Sequence, residues 1–309
     1  MLKQWTSLIQ DCCGQLEALR SNKLLNMIKL EEITSIPTFS SQLENKILYS
    51  NHSEDISVSY QSTYTLKYVI DGMKHYKYNN QVLSVSKNQY LILNNDSQIT
   101  TEAKKGTKGL SLFLSPELIN EISHFYTNGK YTCDFLEVTQ KESNFKINHL
   151  LHKITYLYEN EKIDLKKQMD DLFIKVSELI VQEQVSINDN FVKLRIVKHD
   201  TKRELYKLII ATKDYLNDNL KENISLDTIS RDIGISKYYL HRLFTEFNGN
   251  TPIGYLTDIR LEKAKSKLQT SKDSIFEVAI TCGFDNTAYF SNLFKKHTGF
   301  SPSEFRKVL

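Results

Sequence analysis

The sequence predicts an α+β protein in two parts: a small β-barrel or jelly roll with helices in front, and an all-α domain with two helix-turn-helix units behind. Three observations lead there. Between about residues 45 and 114, short runs rich in Val, Ile, Tyr and Thr alternate with Gly and Asn turn signals. From about 143 to 186, apolar residues recur at three and four. From 203 onward, one short helix–turn–helix pattern occurs twice, some fifty residues apart.

Composition sets the outer bounds. The 309 residues, 40% hydrophobic and 25% charged, suit about two domains. No apolar run approaches the ~20 residues of a membrane span. The opening MLKQWTSLIQDCCGQLEALR lacks a basic flank followed by an apolar core, so it does not read as a secretory signal. Cys12, Cys13, Cys133 and Cys282 form no C-x-x-C pair, and two adjacent cysteines are poorly placed for a disulfide. A reducing, cytoplasmic location without a zinc framework is expected. The net charge of +3 is uneven: residues 191–309 hold 20 Lys and Arg against 14 Asp and Glu, while residues 1–190 hold 20 against 23. A basic end on a slightly acidic body points to a polyanionic partner.

Along the chain, Leu8, Ile9, Cys12, Leu16 and Leu19 fit one helical face, and Pro37 closes that region. Strands are expected at 64–70 (YTLKYVI), 74–78 (KHYKY), 81–85 (QVLSV), 90–93 (YLIL) and 109–114 (GLSLFL). Asp71-Gly72 and Asn79-Asn80 are expected as hairpin turns, because Gly and Asn tolerate positive φ. Strands at this spacing favour a small barrel or jelly roll. Ser115-Pro116-Glu117 opens a helix, with Ser as N-cap and Pro in the first turn. The stripe Leu150, Ile154 and Leu157 fits either a dimer helix or an intramolecular core. The polar, basic segment 189–202 reads as a linker between a domain at 1–188 and a second at 203–309.

In the second domain, Ser225 caps a short helix that Gly234 ends. Ser236 caps the next, with Leu240, Leu243, Phe244 and Phe247 on its core face. The second copy follows at an offset of 49 before the turn and 50 after it. Ile229 matches Val278, Gly234 matches Gly283, Leu240 matches Phe290 and Phe244 matches Phe294. Capping pairs Ser274 with Glu277 and Ser301 with Glu304 complete it. The matched positions turn, cap or fill a core. The outer faces differ: Tyr238, His241, Arg242 and Thr245 in one, Thr287, Ala288, Ser291, Asn292 and Lys295 in the other. A fixed frame with a changed outer face is what two readers of different DNA sequences need. Arg bonds guanine bidentately, Asn bonds adenine, and apolar groups meet the thymine methyl. Lys237, Lys295 and Lys296 add cations for phosphates. The helix between the copies, opened by Thr251-Pro252, spans about 17 residues, roughly 25 Å. That length sets two helices in successive major grooves.

These residues resemble the DNA-binding domain of the AraC/XylS transcription regulators. The resemblance covers roughly 205–309, through the GIS…YLHRLF turn, Tyr255, Arg260, Ala264 and Leu268, and the closing GF…YFSNLFKKHTGFSPSEFR. It implies double-stranded DNA as the partner, and base-reading roles for Tyr238, His241 and Arg242 and for Thr287, Ala288, Ser291 and Asn292. Where this chain has Asn292, the family often carries Arg. A cytoplasmic transcription activator working with RNA polymerase, as a homodimer, is what the family implies. The front half resembles more loosely the cupin-like sensor domain of such regulators, without the Pro-Gly-Asp turn many cupins have. The resemblance then implies a small-molecule effector, with Lys67, Tyr68, His75 and Tyr76 as candidate contacts. A protein partner in the effector's place is the alternative. A cupin enzyme is the rival class, but His52 and His75 are the only strand histidines and His-x-His is absent. His149 and His152 lack a third ligand. No catalytic residues, metal or cofactor are expected.

Overall fold

The computed structural model describes residues 28–34, 45–78, 81–141, 145–160 and 165–307. The proposed helical face of Leu8, Ile9, Cys12, Leu16 and Leu19, Pro37 and the Asn79-Asn80 turn lie outside these. The chain divides into two compact units between Asn188 and Asp189.

The first unit is built on strands β1 (Lys29–Ile33), β2 (Lys46–Asn51), β3 (Ile56–Ser62), β4 (Tyr64–Asp71), β5 (Met73–Tyr78), β6 (Gln81–Ser86), β7 (Tyr90–Leu93), β8 (Ser97–Ala103) and β9 (Lys108–Leu114). They form a five-stranded sheet, β1-β2-β9-β4-β7, and a four-stranded sheet, β3-β8-β5-β6. Only β1 and β2 run parallel among the paired strands described. No strand pairing joins the two sheets among the described residues, so the expected barrel is not closed.

Period-two alternation gives each inner strand two apolar faces. Val69, Leu91 and Phe113 meet Tyr60, Tyr76, Val85 and Ile99 between the sheets. Leu66, Tyr68, Ile92 and Leu112 lie on the other face of the five-stranded sheet, in a core with Ile119, Ile154 and Phe173. Those last residues come from helices α1 (Pro116–Thr127), α2 (Phe145–Asn160) and α3 (Leu165–Lys193). Ser115 caps α1, its Oγ accepting from the Leu118 amide at 3.2 Å, with Pro116 in the first turn. Ile154 and Leu157 are buried in this core and Leu150 packs against it, so the stripe is intramolecular rather than an open dimer face.

Asp71-Gly72 makes no hairpin. β4 and β5 belong to different sheets, and Gly72, at φ 82°, carries the chain from one to the other. β5 and β6 do pair antiparallel, with Tyr78 opposite Gln81.

The expected linker is largely helical. Helix α3 continues to Lys193, and α4 (His199–Asp218) already holds residues 199–202. The end of α3 is closed by paired bonds, Ile196 N–H to Phe191 O at 3.0 Å and Arg195 N–H to Val192 O at 2.9 Å, with Arg195 left-handed at φ 57°. Phe191 is fully buried, its ring 4.9 Å from that of Phe247. Residue 191 therefore belongs to the core of the second unit.

That unit continues through α5 (Leu226–Ile233), α6 (Lys237–Asn248), α7 (Pro252–Thr270), α8 (Ile275–Thr281), α9 (Thr287–Thr298) and α10 (Pro302–Lys307). Two small core clusters stand out among its described residues, besides the Phe191–Phe247 contact. Leu216, Ile229, Leu240, Phe244 and Leu256 form one; Leu261, Ala264, Leu268, Val278, Phe290 and Phe294 form the other. Helix α7 contributes to both, so it is a shared wall as well as a spacer. Its 19 residues span about 28 Å.

Candidate nucleic-acid interface

The two helix-turn-helix units repeat down to individual hydrogen bonds. After α5, the Ile235 amide donates to Ser230 O at 3.0 Å and the Gly234 amide to Arg231 O at 3.2 Å. After α8, the Phe284 amide donates to Ala279 O at 3.0 Å and the Gly283 amide to Ile280 O at 3.0 Å. Both are the same αL turn, with glycine at φ 80° and 86°. The second helix of each unit is capped alike. Ser236 Oγ accepts from the Tyr239 amide at 3.3 Å, and Asn286 Oδ1 from the Tyr289 amide at 2.9 Å. Gly249 and Gly299 end these helices at φ 73° and 84°.

The turn glycines differ in surroundings. A methyl on Gly234 meets nothing within 4 Å. One on Gly283 would lie 2.5 Å from Leu220 O and 2.8 Å from Arg260 Nε. Arg260 itself donates from Nε to Leu220 O at 2.8 Å and from Nη2 to Glu222 O at 2.7 Å. It joins α7 to the segment before α5, and the second unit's turn packs on that joint.

On α6, Leu240, Leu243, Phe244 and Phe247 are buried, while Tyr238, His241 and Arg242 are exposed. Tyr238 is 80% exposed, with the Lys237 ammonium 5.6 Å from the centre of its ring. The Arg242 guanidinium lies 5.9 Å from the centre of the Tyr239 ring, which limits its swing without occupying its donors. Lys237 pairs with Asp227 at 2.9 Å, and the Asp227 hydrogen bond raises its pKa. Thr245 departs from the expected set. Its hydroxyl oxygen is buried, without a hydrogen-bond partner among the described residues, on a half-buried residue.

On α9, Phe290 and Phe294 are buried. Ala288, Asn292, Lys295 and Lys296 are exposed, and Thr287 and Ser291 half-buried. All six lie on one short helix, but the cations gather in its last turn. The sequence reading missed Tyr239 and Tyr289, exposed at the same place in both copies. The available signal was their identity: a residue kept in both copies that fills neither core.

In the first unit, Lys67 and Tyr76 line a cavity of about 30 Å³ between the sheets, with Ser50, His52, Lys74 and Ser111. Tyr68 is on the opposite face of β4, its hydroxyl 3.3 Å from Asn88 Oδ1. His75 faces the other way along β5, its Nδ1 2.9 Å from Ser84 Oγ. The four candidate contacts are thus not one site: two line the cavity and two lie away from it. The sequence reading passed over Lys74, although it stands two residues from Tyr76 and so on the same strand face. Among the described residues, no three His, Cys, Asp or Glu side chains are grouped to hold a metal ion. No helix there is long and apolar enough to cross a membrane.

A family model described as "Helix-turn-helix domain" matches residues 229–308. The HTH-type transcriptional activator RhaS of Escherichia fergusonii is 38% identical over 93 residues, 30% of this chain and 34% of that protein. The chain thus spans about a third of that relative's length. The probable transcription factor PqrA of Proteus vulgaris is 40% identical over 86 residues, 28% of this chain and 70% of that protein. An uncharacterized HTH-type transcriptional regulator of Bacillus subtilis, YisR, is 24% identical over 256 residues, 80% of this chain and 87% of that protein.

Proposed function

The chain belongs to the AraC/XylS family of transcription regulators, and from that premise we propose that it reads two successive major grooves under the control of a ligand bound in its first unit. One observation carries the DNA half of this reading: two turns with the same hydrogen bonds present two different outer faces. The exchanged residues include Arg242 in one copy and Asn292 in the other, side chains that bond different bases, at the same place on each helix. Helix α6 supplies Tyr238, His241 and Arg242 to base edges, with Lys237 free to trade Asp227 for a phosphate. Helix α9 supplies Thr287, Ala288, Ser291 and Asn292, with Lys295 and Lys296 on phosphates. Tyr239 and Tyr289, one turn inside each helix start, meet sugar or phosphate on their hydroxyl side.

Control by the first unit is supported by its separate compact core and by the polar cavity between its sheets. A ligand there acts only through different affinities for two states of the protein. Homodimerisation and contact with RNA polymerase follow from the family and belong to the same proposal. The test of DNA reading is a gel-shift titration of the full chain on a selected duplex at increasing salt. Affinity should fall steeply with salt, because displaced phosphate counterions drive binding. No preference for the selected duplex over random DNA at any salt sinks the reading.

A further inference from the structure

Among the described residues, the cavity between the two sheets is lined by two ammonium groups and no carboxylate. Lys67 and Lys74 are 2% and 4% exposed. Lysine is almost never buried so completely without an anionic partner, because an unpaired buried charge is costly. Among the described residues, the groups in contact with these two are neutral. The Lys67 ammonium lies 3.4 Å from Ser111 Oγ and 4.4 Å from the centre of the Phe113 ring. The Lys74 ammonium donates to Ser50 Oγ at 2.7 Å. His52, also buried, lines the same space with neither ring nitrogen hydrogen-bonded. Glycine at 109 makes the arrangement possible. A methyl there would fall 2.8 Å from Lys74 Nζ and 3.1 Å from Tyr68 O. The cavity, about 30 Å³, is roughly two to three times the room one water needs. It suits a compact group of a few atoms.

We propose that this cavity binds a compact oxyanion, a phosphate or a short carboxylate, between Lys67 and Lys74, with Ser50, Ser111 and His52 completing its hydrogen bonds. Two cations from adjacent sheets supply the charge, and the hydroxyls and imidazole supply directional donors. That such binding regulates DNA affinity rests on the reading of the first unit as a sensor; the site itself does not. Burial brings the Lys67 ammonium down to about 7, and burial together with the Lys67 charge does the same to Lys74. Both therefore take up protons when an anion arrives, and binding is tighter below neutral pH than above it. The other titratable groups facing them stay neutral through that range. Burial, then the Lys74 charge, lowers His52 to about 4; burial raises Tyr60 to about 12 and Tyr76 well above its ordinary value.

The experiment uses the full chain. Thermal unfolding and calorimetric titration are run with inorganic phosphate, with acetate, and with chloride at matched ionic strength. The site predicts a rise in Tm with phosphate or acetate that chloride does not give, larger at pH 6.5 than at 8.5. Response to one ion alone assigns the group as phosphate or carboxylate. Lys67→Met and Lys74→Met should each weaken binding about tenfold or more. Without anion, both variants should unfold at or above the wild-type Tm, since each removes an unpaired charge. Equal wild-type curves in all three ions overturn the site without the variants, and so does unchanged affinity in both of them. A final arm repeats the DNA titration with saturating anion. Unchanged DNA affinity alongside measured anion binding keeps the site and removes its sensor role.

Discussion

Arg242 and Asn292 occupy the same place on the two repeated helices and differ in what they offer to a base. Arginine carries a fixed fork of donors that fits guanine from a distance; asparagine must approach closely to read adenine. Both are exposed. Arg242→Ala should relax base preference at one or two positions and weaken specific binding about tenfold or more, the lower part of the ~1–3 kcal/mol range for a bidentate pair. Asn292→Ala should cost less, with Lys295 and Lys296 still on phosphates. Both mutants measured on a matched set of single-base operator variants check this; equal losses show the second helix reading as strongly as the first. These outer faces were legible in the sequence because helical spacing separates them from the core residues. The burial of the Thr245 hydroxyl was not, since one residue at the edge of a helical face turns in or out according to its neighbours. The cavity lysines were half legible. Alternation put Lys67 and Tyr68 on opposite sides, but only tertiary packing brings β4 and β5 of different sheets around one space. Their titration gives a second prediction. Their folded values near 7 lie below the ordinary lysine value of 10.5, so between these pH values the unfolded chain binds more protons. Anion-free stability should therefore rise with pH across that window, by up to about 1.4 kcal/mol per unit for each lysine. Lys67→Met should flatten the rise in thermal unfolding from pH 7 to 9.5. A wild-type curve no steeper than the variant's contradicts it.

At the scale of elements, the helical half follows from local chemistry and the sheet half does not. Caps at Ser225, Ser236, Thr251 and Ser274 form the bonds their residue types favour. Strands β1 and β8 carry no comparable signal. KLEEI and SQITTEA are polar or hydroxyl-rich, with too few apolar residues to mark a face, whereas ISVSYQS is short and hydroxyl-rich but does set Ile56, Val58 and Tyr60 on one face, a signal the sequence reading passed over. β1 and β8 are strands because neighbours pair with them. Asp71-Gly72 shows the same limit: a turn dipeptide marks a reversal, but which sheet the next strand joins is decided by long-range packing. The two helix-turn-helix glycines read alike in sequence, and the structure separates them. Gly234→Ala should cost only the strain of a left-handed alanine, about 1–2 kcal/mol. Gly283→Ala adds a collision with Leu220 O and Arg260, and should cost about 3–4 kcal/mol as it breaks that charged hydrogen bond. Denaturant unfolding of residues 189–309 measures both. Equal losses would mean that Arg260 moves aside freely.

On the scale of the molecule, the basic second unit and the duplicated frame were plain from charge and repeat spacing, but its boundary was not. Polar composition marked 189–202 as a linker, whereas Phe191, one apolar residue among polar ones, packs on Phe247 and places the start of the unit at about 189. A fragment for DNA work should begin there rather than at 203. The central claim is that one frame, used twice, reads two different sequences. Selection of bound duplexes from a random pool by residues 189–309, wild type and Arg242→Ala, tests it most directly. The account predicts two unlike half-sites about one helical turn apart, ~10–10.5 base pairs centre to centre, with the Arg242→Ala protein losing preference in one half only. A single enriched half-site, two identical half-sites, or loss of preference in both halves together would contradict it.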